Sequence, residues 1–234
     1  MKLVILAGGY GTRISEETKI KPKPLVLIGN KPIIWHLMKI YSFYGIKDFI
    51  ICLGYKGHML KQELIKYKNK EKWKIEFVNT GLHTMTGGRI KRIKKYLKNE
   101  KNFCLSYGDG LSNVNIKKLI KFHLINKKMA TLTAVKYRNP KGVLSINKDS
   151  KVQNIKEKPM EYINGGFFVL SIKIFKHLKN DKSIFEKDCL PFITRKSQLL
   201  AFKHNGFWAC MDTLREKKEL NTMWKQKTCK WKIW

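Results

Sequence analysis

The chain has 234 residues and a mass of 27.5 kDa, the length of a single domain. Hydrophobic residues make up 43% of it, which excludes wholesale disorder. The net charge of +32 suggests a nucleic acid or a membrane as partner, but 43 of the 49 basic residues are Lys, whereas base readout and bidentate phosphate recognition favour Arg. Basic residues are also spread along the chain, so we expect a Lys-rich surface without a specific nucleic-acid partner.

Apolar runs alternate with segments of helical spacing through most of the chain. The apolar runs predict buried strands at 3–7, 48–53, 75–78, 102–107 and 130–135. The helical spacing predicts helices at 33–44, 59–67, 88–97, 116–125 and 214–224, and shorter strands follow at 143–146, 152–155 and 167–170. Strands that alternate with helices and are apolar throughout indicate an α/β fold with a mostly parallel sheet covered on both faces.

Neither an internal repeat nor a Gly/Ser/Pro linker divides the chain, so we expect one domain over 1–234. The five cysteines are odd in number and lack C-x-x-C spacing, which argues against a disulfide framework or a zinc site. The longest uncharged run, 162–172, has 11 residues, too few for a membrane span, and the apolar N-terminal run is too short for a secretory signal. We therefore expect a cytoplasmic protein.

A glycine-rich turn, Leu6-Ala-Gly-Gly-Tyr-Gly-Thr-Arg13, follows the first predicted strand. Ligands of such sheets bind at the carboxyl ends of the strands, and glycines there let backbone N–H groups approach anionic oxygens. Arg13 adds a cationic fork, and the prolines of Lys21-Pro-Lys-Pro24 stiffen the stretch that carries Lys23. The dinucleotide fingerprint fails at Ile14, where Gly or Ala is required, and the Walker pattern is absent.

Two of the six aspartates occupy positions suited to a metal ion. Asp109 lies between two glycines after the fourth predicted strand, and Asp212 precedes the last predicted helix. A hard cation on nucleotide phosphates takes one or two carboxylates together with phosphate oxygens and waters. The alternatives are a turn residue for Asp109 and a helix N-cap for Asp212.

These motifs resemble those of the sugar-1-phosphate nucleotidyltransferases, whose signature is L-A-G-G-x-G-T-R followed by P-K-P. Later motifs look most like the glucose-1-phosphate cytidylyltransferase branch, and the likeness covers almost the whole chain: Ser15-Glu-Glu-Thr18, Gly45-Ile-Lys-Asp-Phe49, Gly54-Tyr-Lys-Gly57, Met85-Thr-Gly-Gly-Arg89, Tyr107-Gly-Asp-Gly110, Ile163-Asn-Gly-Gly-Phe-Phe168, Gly206-Phe-Trp208 and Met211-Asp-Thr-Leu-Arg215. The resemblance implies a Rossmann-like nucleotidyltransferase fold of the GT-A type, with a nucleotide-binding half at 1–135 and a sugar-phosphate-binding half at 136–234.

The resemblance also assigns roles. It implies that Asp109 and Asp212 bind the catalytic Mg²⁺, and that these two residues, Arg13 and Lys23 are catalytic. The implied nucleotide contacts are Leu6, Ala7, Gly8, Gly9, Gly11, Thr12, Arg13, Lys23, Thr80, Arg89 and Gly108. The implied sugar-phosphate contacts are Gly142, Glu157, Lys158 and Asn164. Arg89 has a plain alternative as a surface charge beside Lys91 and Arg92.

The activity implied by the resemblance is transfer of a cytidylyl group from CTP to glucose 1-phosphate, which gives CDP-glucose and pyrophosphate; CDP-sugars usually enter surface-polysaccharide synthesis. Two alternatives stay open: the same reaction with another nucleoside triphosphate or sugar phosphate, and a non-catalytic nucleotide-sugar-binding protein. The segment between Gly57 and Thr80 is shorter than in the resembled branch, where it contributes to an oligomer, and the stretch 137–142 departs from the family pattern near the sugar. Whether the chain forms a homo-oligomer is therefore left open.

Overall fold

The computed structural model of the chain describes residues 1–139 and 141–234; Pro140, within the stretch 137–142, lies outside the described residues. The strands are β1 (Leu3–Leu6), β2 (Leu27–Ile28), β3 (Lys31–Pro32), β4 (Asp48–Leu53), β5 (Lys74–Asn79), β6 (Asn102–Tyr107), β7 (Gly110–Ser112), β8 (Ala130–Arg138), β9 (Val143–Ile146), β10 (Val152–Lys156), β11 (Met160–Ser171), β12 (Leu199–His204) and β13 (Trp208–Cys210). The α-helices are α1 (Ser15–Thr18), α2 (Ile33–Phe43), α3 (Gly57–Lys68), α4 (Thr86–Arg92), α5 (Ile116–Asn126), α6 (Leu190–Arg195) and α7 (Leu214–Lys225).

Seven strands form one mixed sheet in the order β12-β8-β11-β6-β1-β4-β5. The strand pairs β1–β4, β1–β6, β4–β5 and β8–β12 are parallel. Only β11 runs against its neighbours β6 and β8 within this sheet. The prediction of a mostly parallel sheet is thereby confirmed, and the carboxyl ends of β1, β4, β5 and β6 lie along one edge.

The sheet is covered on both faces, as the continuous apolar runs predict. Leu3 and Ile5 of β1 pack into one hydrophobic cluster together with α2, whereas Val4 and Leu6 pack into a second cluster on the opposite face with Ile90 of α4. All four β1 side chains are buried. Such a strand has no solvent-facing side, so the sheet fixes the position of the turn that follows it.

A small antiparallel ribbon of β7 and β13 lies outside the main sheet. Gly110 pairs with Cys210, and the backbone N–H of Met211 donates to the carbonyl of Asp109 at 3.0 Å. This ribbon brings the turn after β6 next to the segment that precedes α7. Two parts of the chain that are far apart in sequence therefore meet at the carboxyl edge of the sheet.

The second half joins the same sheet through β8, β11 and β12, as predicted, but β9 and β10 form a separate two-stranded ribbon whose residues are all exposed. The helix predicted at 88–97 ends earlier: α4 stops at Arg92, and a 3-10 turn follows over Lys94–Leu97.

Cys52 and Cys104 are buried, and all five cysteines of the described part of the chain are free thiols. None of the helices within 1–139 and 141–234 is both long and apolar enough to cross a membrane.

Candidate active site

Four of the predicted site residues form one charged cluster at the carboxyl edge of the sheet. The ammonium group of Lys23 donates to Oδ2 of Asp109 and, at 2.5 Å, to Oδ1 of Asp212. Arg13 donates from its guanidinium to the other oxygen of Asp212 at 2.6 Å. The predicted catalytic set is therefore brought together, although its members come from the start, the middle and the end of the chain.

Local structure explains how each member of the cluster is held. Lys23 starts a 3-10 turn between two prolines, and its side chain is only 11% exposed. Asp109 follows β6, while Asp212 follows β13, and the β7–β13 ribbon places the two side by side. Asp212 is not the N-cap of α7, because Thr213 occupies that position in a capping box with Glu216. The Asp212 carboxylate is thus left for other partners.

The electrostatics of the cluster favour its charged form. Burial disfavours the charge on Lys23, but the carboxylates of Asp109 and Asp212 outweigh burial and raise the pKa of Lys23 above its usual value. Burial likewise opposes ionisation of Asp212, yet Lys23 and Arg13 hold the pKa of this carboxyl below its usual value. Both pKa shifts thus favour the charged forms of Lys23 and Asp212.

The same two carboxylates suit a divalent cation. They converge on a single point, which the Lys23 ammonium occupies, and they offer oxygen donors of the kind that Mg²⁺ prefers. No cluster of three or more His, Cys, Asp or Glu side chains suited to a metal exists within the described residues. A cation bound by this pair would therefore need substrate phosphate oxygens and waters as its remaining ligands, as is usual for Mg²⁺ in nucleotide sites.

The glycine-rich turn lies directly beside this cluster. Gly11 has a φ of 68°, and an added Cβ there would lie 3.0 Å from the Cβ of Lys23, so only glycine fits under the lysine side chain. Gly9, Thr12 and Arg13 are exposed, and an added Cβ at Gly9 would meet nothing within 4 Å. The backbone at Gly9 consequently faces open space, where a phosphate group can approach it.

Thr80 and Arg89, two of the residues implied to contact the nucleotide, are buried behind the turn. Thr80 is fully buried and donates its hydroxyl hydrogen to the carbonyl of Leu53 at 2.7 Å. Arg89 is 5% exposed, and its two terminal nitrogens donate to five oxygens: those of Gly8, Leu53, Thr80, Gly81 and Leu82. These bonds tie the ends of β1, β4 and β5 together. The surface-charge alternative for Arg89 is wrong, because burial removes this side chain from solvent, and the nucleotide contacts of Thr80 and Arg89 stay predictions.

The predicted sugar-side residues fall into two groups. Glu157 and Lys158 lie on the exposed turn between β10 and β11, 3.8 Å apart at their charged atoms, and Gly142 abuts the Glu157 carboxylate. Lys158 precedes a proline yet has a φ of 42°, a left-handed conformation that is rare there and is often found at functional sites. Among the described residues, no hydrogen bond or ion pair joins this turn to the Lys23 cluster.

Asn164 forms the second group, on the other side of the β11 bulge. Its carbonyl oxygen accepts from the N–H of Gly166 at 2.9 Å, and its amide nitrogen donates to the hydroxyl of Tyr107 at 3.3 Å. Tyr107 is separated from Asp109 by Gly108 alone. Asn164 is therefore connected to the strand end that carries Asp109.

Sequence reasoning missed Glu186, which lies in a π-helical turn over Phe185–Cys189. Its carboxylate accepts from the hydroxyls of Tyr107 and Thr86, two residues of motifs that the sequence singles out. The sequence carries no clear signal for it, because Glu186 is followed directly by Lys187 and Asp188 and so looks like part of a charged surface turn.

Comparison with known proteins agrees with this geometry. A protein-family model described as "Nucleotidyl transferase" matches residues 2–222. The glucose-1-phosphate cytidylyltransferase of Salmonella typhimurium is 44% identical, and the alignment covers 100% of both chains. That alignment has 257 positions, 23 more than this chain has residues, so the relative contains segments that are absent here. A mannose-1-phosphate guanyltransferase of Aspergillus oryzae is 30% identical over 89% of this chain and 60% of its own length.

A solved structure has the same fold. The crystal structure of HddC from Yersinia pseudotuberculosis superposes with a TM-score of 0.77 at 30% identity and covers 95% of this chain and 99% of that one. The family match spans the glycine-rich turn, the lysine between two carboxylates and both strand-end aspartates. With the full-length relative and the shared fold, this match makes the chain a member of the nucleotidyl transferase family.

Proposed function

We propose that the chain transfers the cytidylyl group of CTP to glucose 1-phosphate, releasing pyrophosphate and forming CDP-glucose. The observation that carries the chemistry is the Lys23 ammonium held between Asp109 and Asp212 beside the glycine-rich turn. The choice of CTP and glucose 1-phosphate is supported by the full-length relative at 44% identity, which is named for that activity.

Both substrates are anionic, so catalysis depends on positioning and on neutralising charge rather than on a covalent nucleophile. The exposed backbone at Gly9 and the residues up to Arg13 would hold the triphosphate, and Arg13, 71% exposed, can reach the phosphates that leave as pyrophosphate. Lys23 would neutralise charge at the α-phosphate, where the phosphate oxygen of the sugar attacks in line.

Asp109 and Asp212 are the residues that would hold Mg²⁺. The ion, when bound, supplies charge stabilisation to the phosphates. In the absence of substrate, the Lys23 ammonium bridges the two carboxylates that would hold the ion. An ammonium poised in this way keeps the pair from repelling in the absence of substrate.

The sugar phosphate would bind to the half at 136–234 and the nucleotide to the half at 1–135, within one domain. Lys158 would hold the phosphate of the attacking sugar, with Glu157 and Asn164 on sugar hydroxyls and Gly142 beside them. This lysine is exposed, and within the described residues no hydrogen bond or ion pair joins its turn to the Lys23 cluster. The turn would therefore move towards the cluster when substrate binds. The use of CTP supports the cytoplasmic location that we propose.

The test is a pyrophosphate-release assay that crosses four nucleoside triphosphates with a panel of sugar 1-phosphates, with and without Mg²⁺. We expect release with CTP and glucose 1-phosphate, dependent on the metal and lost in Asp109→Asn. Activity confined to another pair would correct the substrates and keep the reaction. No release with any pair, together with binding of a nucleotide sugar in calorimetry, would identify a non-catalytic binding protein instead.

A further inference from the structure

Glu186 uses both oxygens of its carboxylate inside the protein. The hydroxyl of Tyr107 donates to Oε1 at 2.5 Å, and the hydroxyl of Thr86 donates to Oε2 at 2.6 Å. Thr86 also accepts from the N–H of Phe185, the residue before the glutamate, at 2.9 Å. The carboxylate is thereby fixed from one side by the first turn of α4, and its other oxygen holds the end of β6.

The surroundings of this contact make it strong and directional. Tyr107 packs edge-on against Phe168, which in turn packs edge-on against Phe185. The Tyr107 hydroxyl donates to the carboxylate among these aromatic rings, and a hydrogen bond to a carboxylate in apolar surroundings is stronger than one between neutral groups.

The Tyr107 hydroxyl has lone pairs left over, and one of them accepts from the amide nitrogen of Asn164. Because the amide oxygen of Asn164 accepts from Gly166, the two ends of the amide cannot exchange. The pairing of β8 with β11 shifts register between Asn164 and Phe168, and such bulges re-aim side chains next to active sites. An added Cβ at Gly166 would lie 2.7 Å from the Tyr107 ring, so the bulge and the ring are in direct contact.

These contacts form a relay from Glu186 through Tyr107 to Asn164. We propose that Glu186 is a positioning residue of the sugar site, which through the Tyr107 hydroxyl sets the orientation of the Asn164 amide towards a sugar hydroxyl. This inference rests on the proposed function and adds a residue that acts at one remove from the substrate. Asn164 keeps one amide hydrogen for the sugar, and the relay determines where that hydrogen points.

The test compares Glu186→Gln with wild type in steady-state kinetics on CTP and glucose 1-phosphate, and on the 2-, 3-, 4- and 6-deoxy analogues of the sugar phosphate. With wild type, one analogue should show the largest increase in KM over glucose 1-phosphate; this increase is its penalty. If the penalty disappears in Asn164→Ala, that analogue lacks the hydroxyl that Asn164 binds. Glu186→Gln should raise KM for glucose 1-phosphate by about tenfold, the effect of one weakened charged hydrogen bond, and should reduce the penalty for that analogue. KM for CTP should change less than twofold.

Asp188→Asn is the matched control, because it removes the same charge from the same turn. Its carboxylate accepts from the backbone N–H of Ile184 at 2.6 Å, and within the described residues it makes no hydrogen bond to Glu186, Tyr107 or Asn164. The control should keep the wild-type KM and the wild-type penalty. If Glu186→Gln does not fold, Tyr107→Phe replaces it, since this variant deletes the relay hydroxyl and should reduce the same penalty.

A folded Glu186→Gln or Tyr107→Phe protein with wild-type KM and an undiminished penalty would overturn the relay while leaving the proposed function intact. A wild-type protein that turns over no sugar phosphate would instead overturn the proposed function and the relay together. The two failures are distinguishable by the activity of the wild type alone.

Discussion

Replacing Lys23 by alanine tests directly whether its ammonium neutralises the carboxylates of Asp109 and Asp212. The ammonium contacts one oxygen of Asp109 and one of Asp212, so these two oxygens lie within about 5 Å of each other. Two like charges at this distance repel by about 3 kcal/mol at an effective dielectric constant of 20. Without Lys23, this repulsion opposes simultaneous ionisation of the two carboxyls.

Two opposite effects follow from this magnitude. Turnover should fall by on the order of a hundredfold or more, because the charge at the α-phosphate loses its preorganised partner. Binding of Mg²⁺ to the substrate-free protein should strengthen, because the ammonium no longer competes for the two carboxylates. Pyrophosphate release measures the first effect, and the rise in melting temperature with added Mg²⁺ measures the second.

Lys21→Ala is the matched control, since it removes a lysine from the same segment and breaks only the ion pair with Glu17 at 3.5 Å. We expect wild-type turnover and wild-type stabilisation by Mg²⁺ in this variant. The reasoning is refuted if Lys23→Ala keeps turnover within tenfold of wild type. It is also refuted if Mg²⁺ stabilises the Lys23→Ala protein less than it stabilises wild type.

Three further predictions concern stability and substrate affinity. Gly8→Ala should cost about 2 kcal/mol or more of unfolding free energy, because the new Cβ would lie 2.1 Å from a guanidinium nitrogen of Arg89. Gly9→Ala, whose new Cβ meets nothing within 4 Å, should stay within about 0.5 kcal/mol of wild type in denaturant melts. Equal stabilities of the two variants would contradict this packing. Burial lowers the pKa of His36 to about 4, so the unfolded chain binds more protons than the folded chain between pH 6.5 and 4. Acidification over this range should therefore cost about 3 kcal/mol of unfolding free energy, and His36→Gln should remove this loss. Equal pH dependence of stability in wild type and His36→Gln would disprove the prediction. Lys158→Ala should leave the melting temperature unchanged and raise KM for glucose 1-phosphate about tenfold or more; an unchanged KM would exclude this lysine from the sugar phosphate.

The sequence predicts the buried strands well, because an apolar run bounded by turn residues has few other solutions. The strands at 48–53 and 102–107 have the predicted bounds. The prediction misses β12 and β13, whose residues are only partly buried and carry no clear pattern, and the first half of β11, whose side chains are exposed. Edge and ribbon strands owe their conformation to pairing partners that a local pattern does not contain.

The charged cluster could be predicted because strand ends converge in a parallel sheet and because Arg13, Lys23, Asp109 and Asp212 belong to recognisable motifs. The position of Arg89 could not be predicted, because its neighbours along the chain do not show that five oxygens from three separate segments surround its guanidinium. Residues whose role depends on contacts across the fold become visible only in three dimensions.

The ribbon of β7 and β13 has a consequence for how the protein folds. It joins Asp109 to Met211, 102 positions later, and closing a loop of that length costs roughly 4 kcal/mol of chain entropy. The early part of the chain can pair Lys23 with Asp109 alone, and the second carboxylate arrives only when the last strand docks. A divalent cation that requires both carboxylates would therefore bind the completed fold and not its precursors, and it would act as a selective stabiliser of the native state.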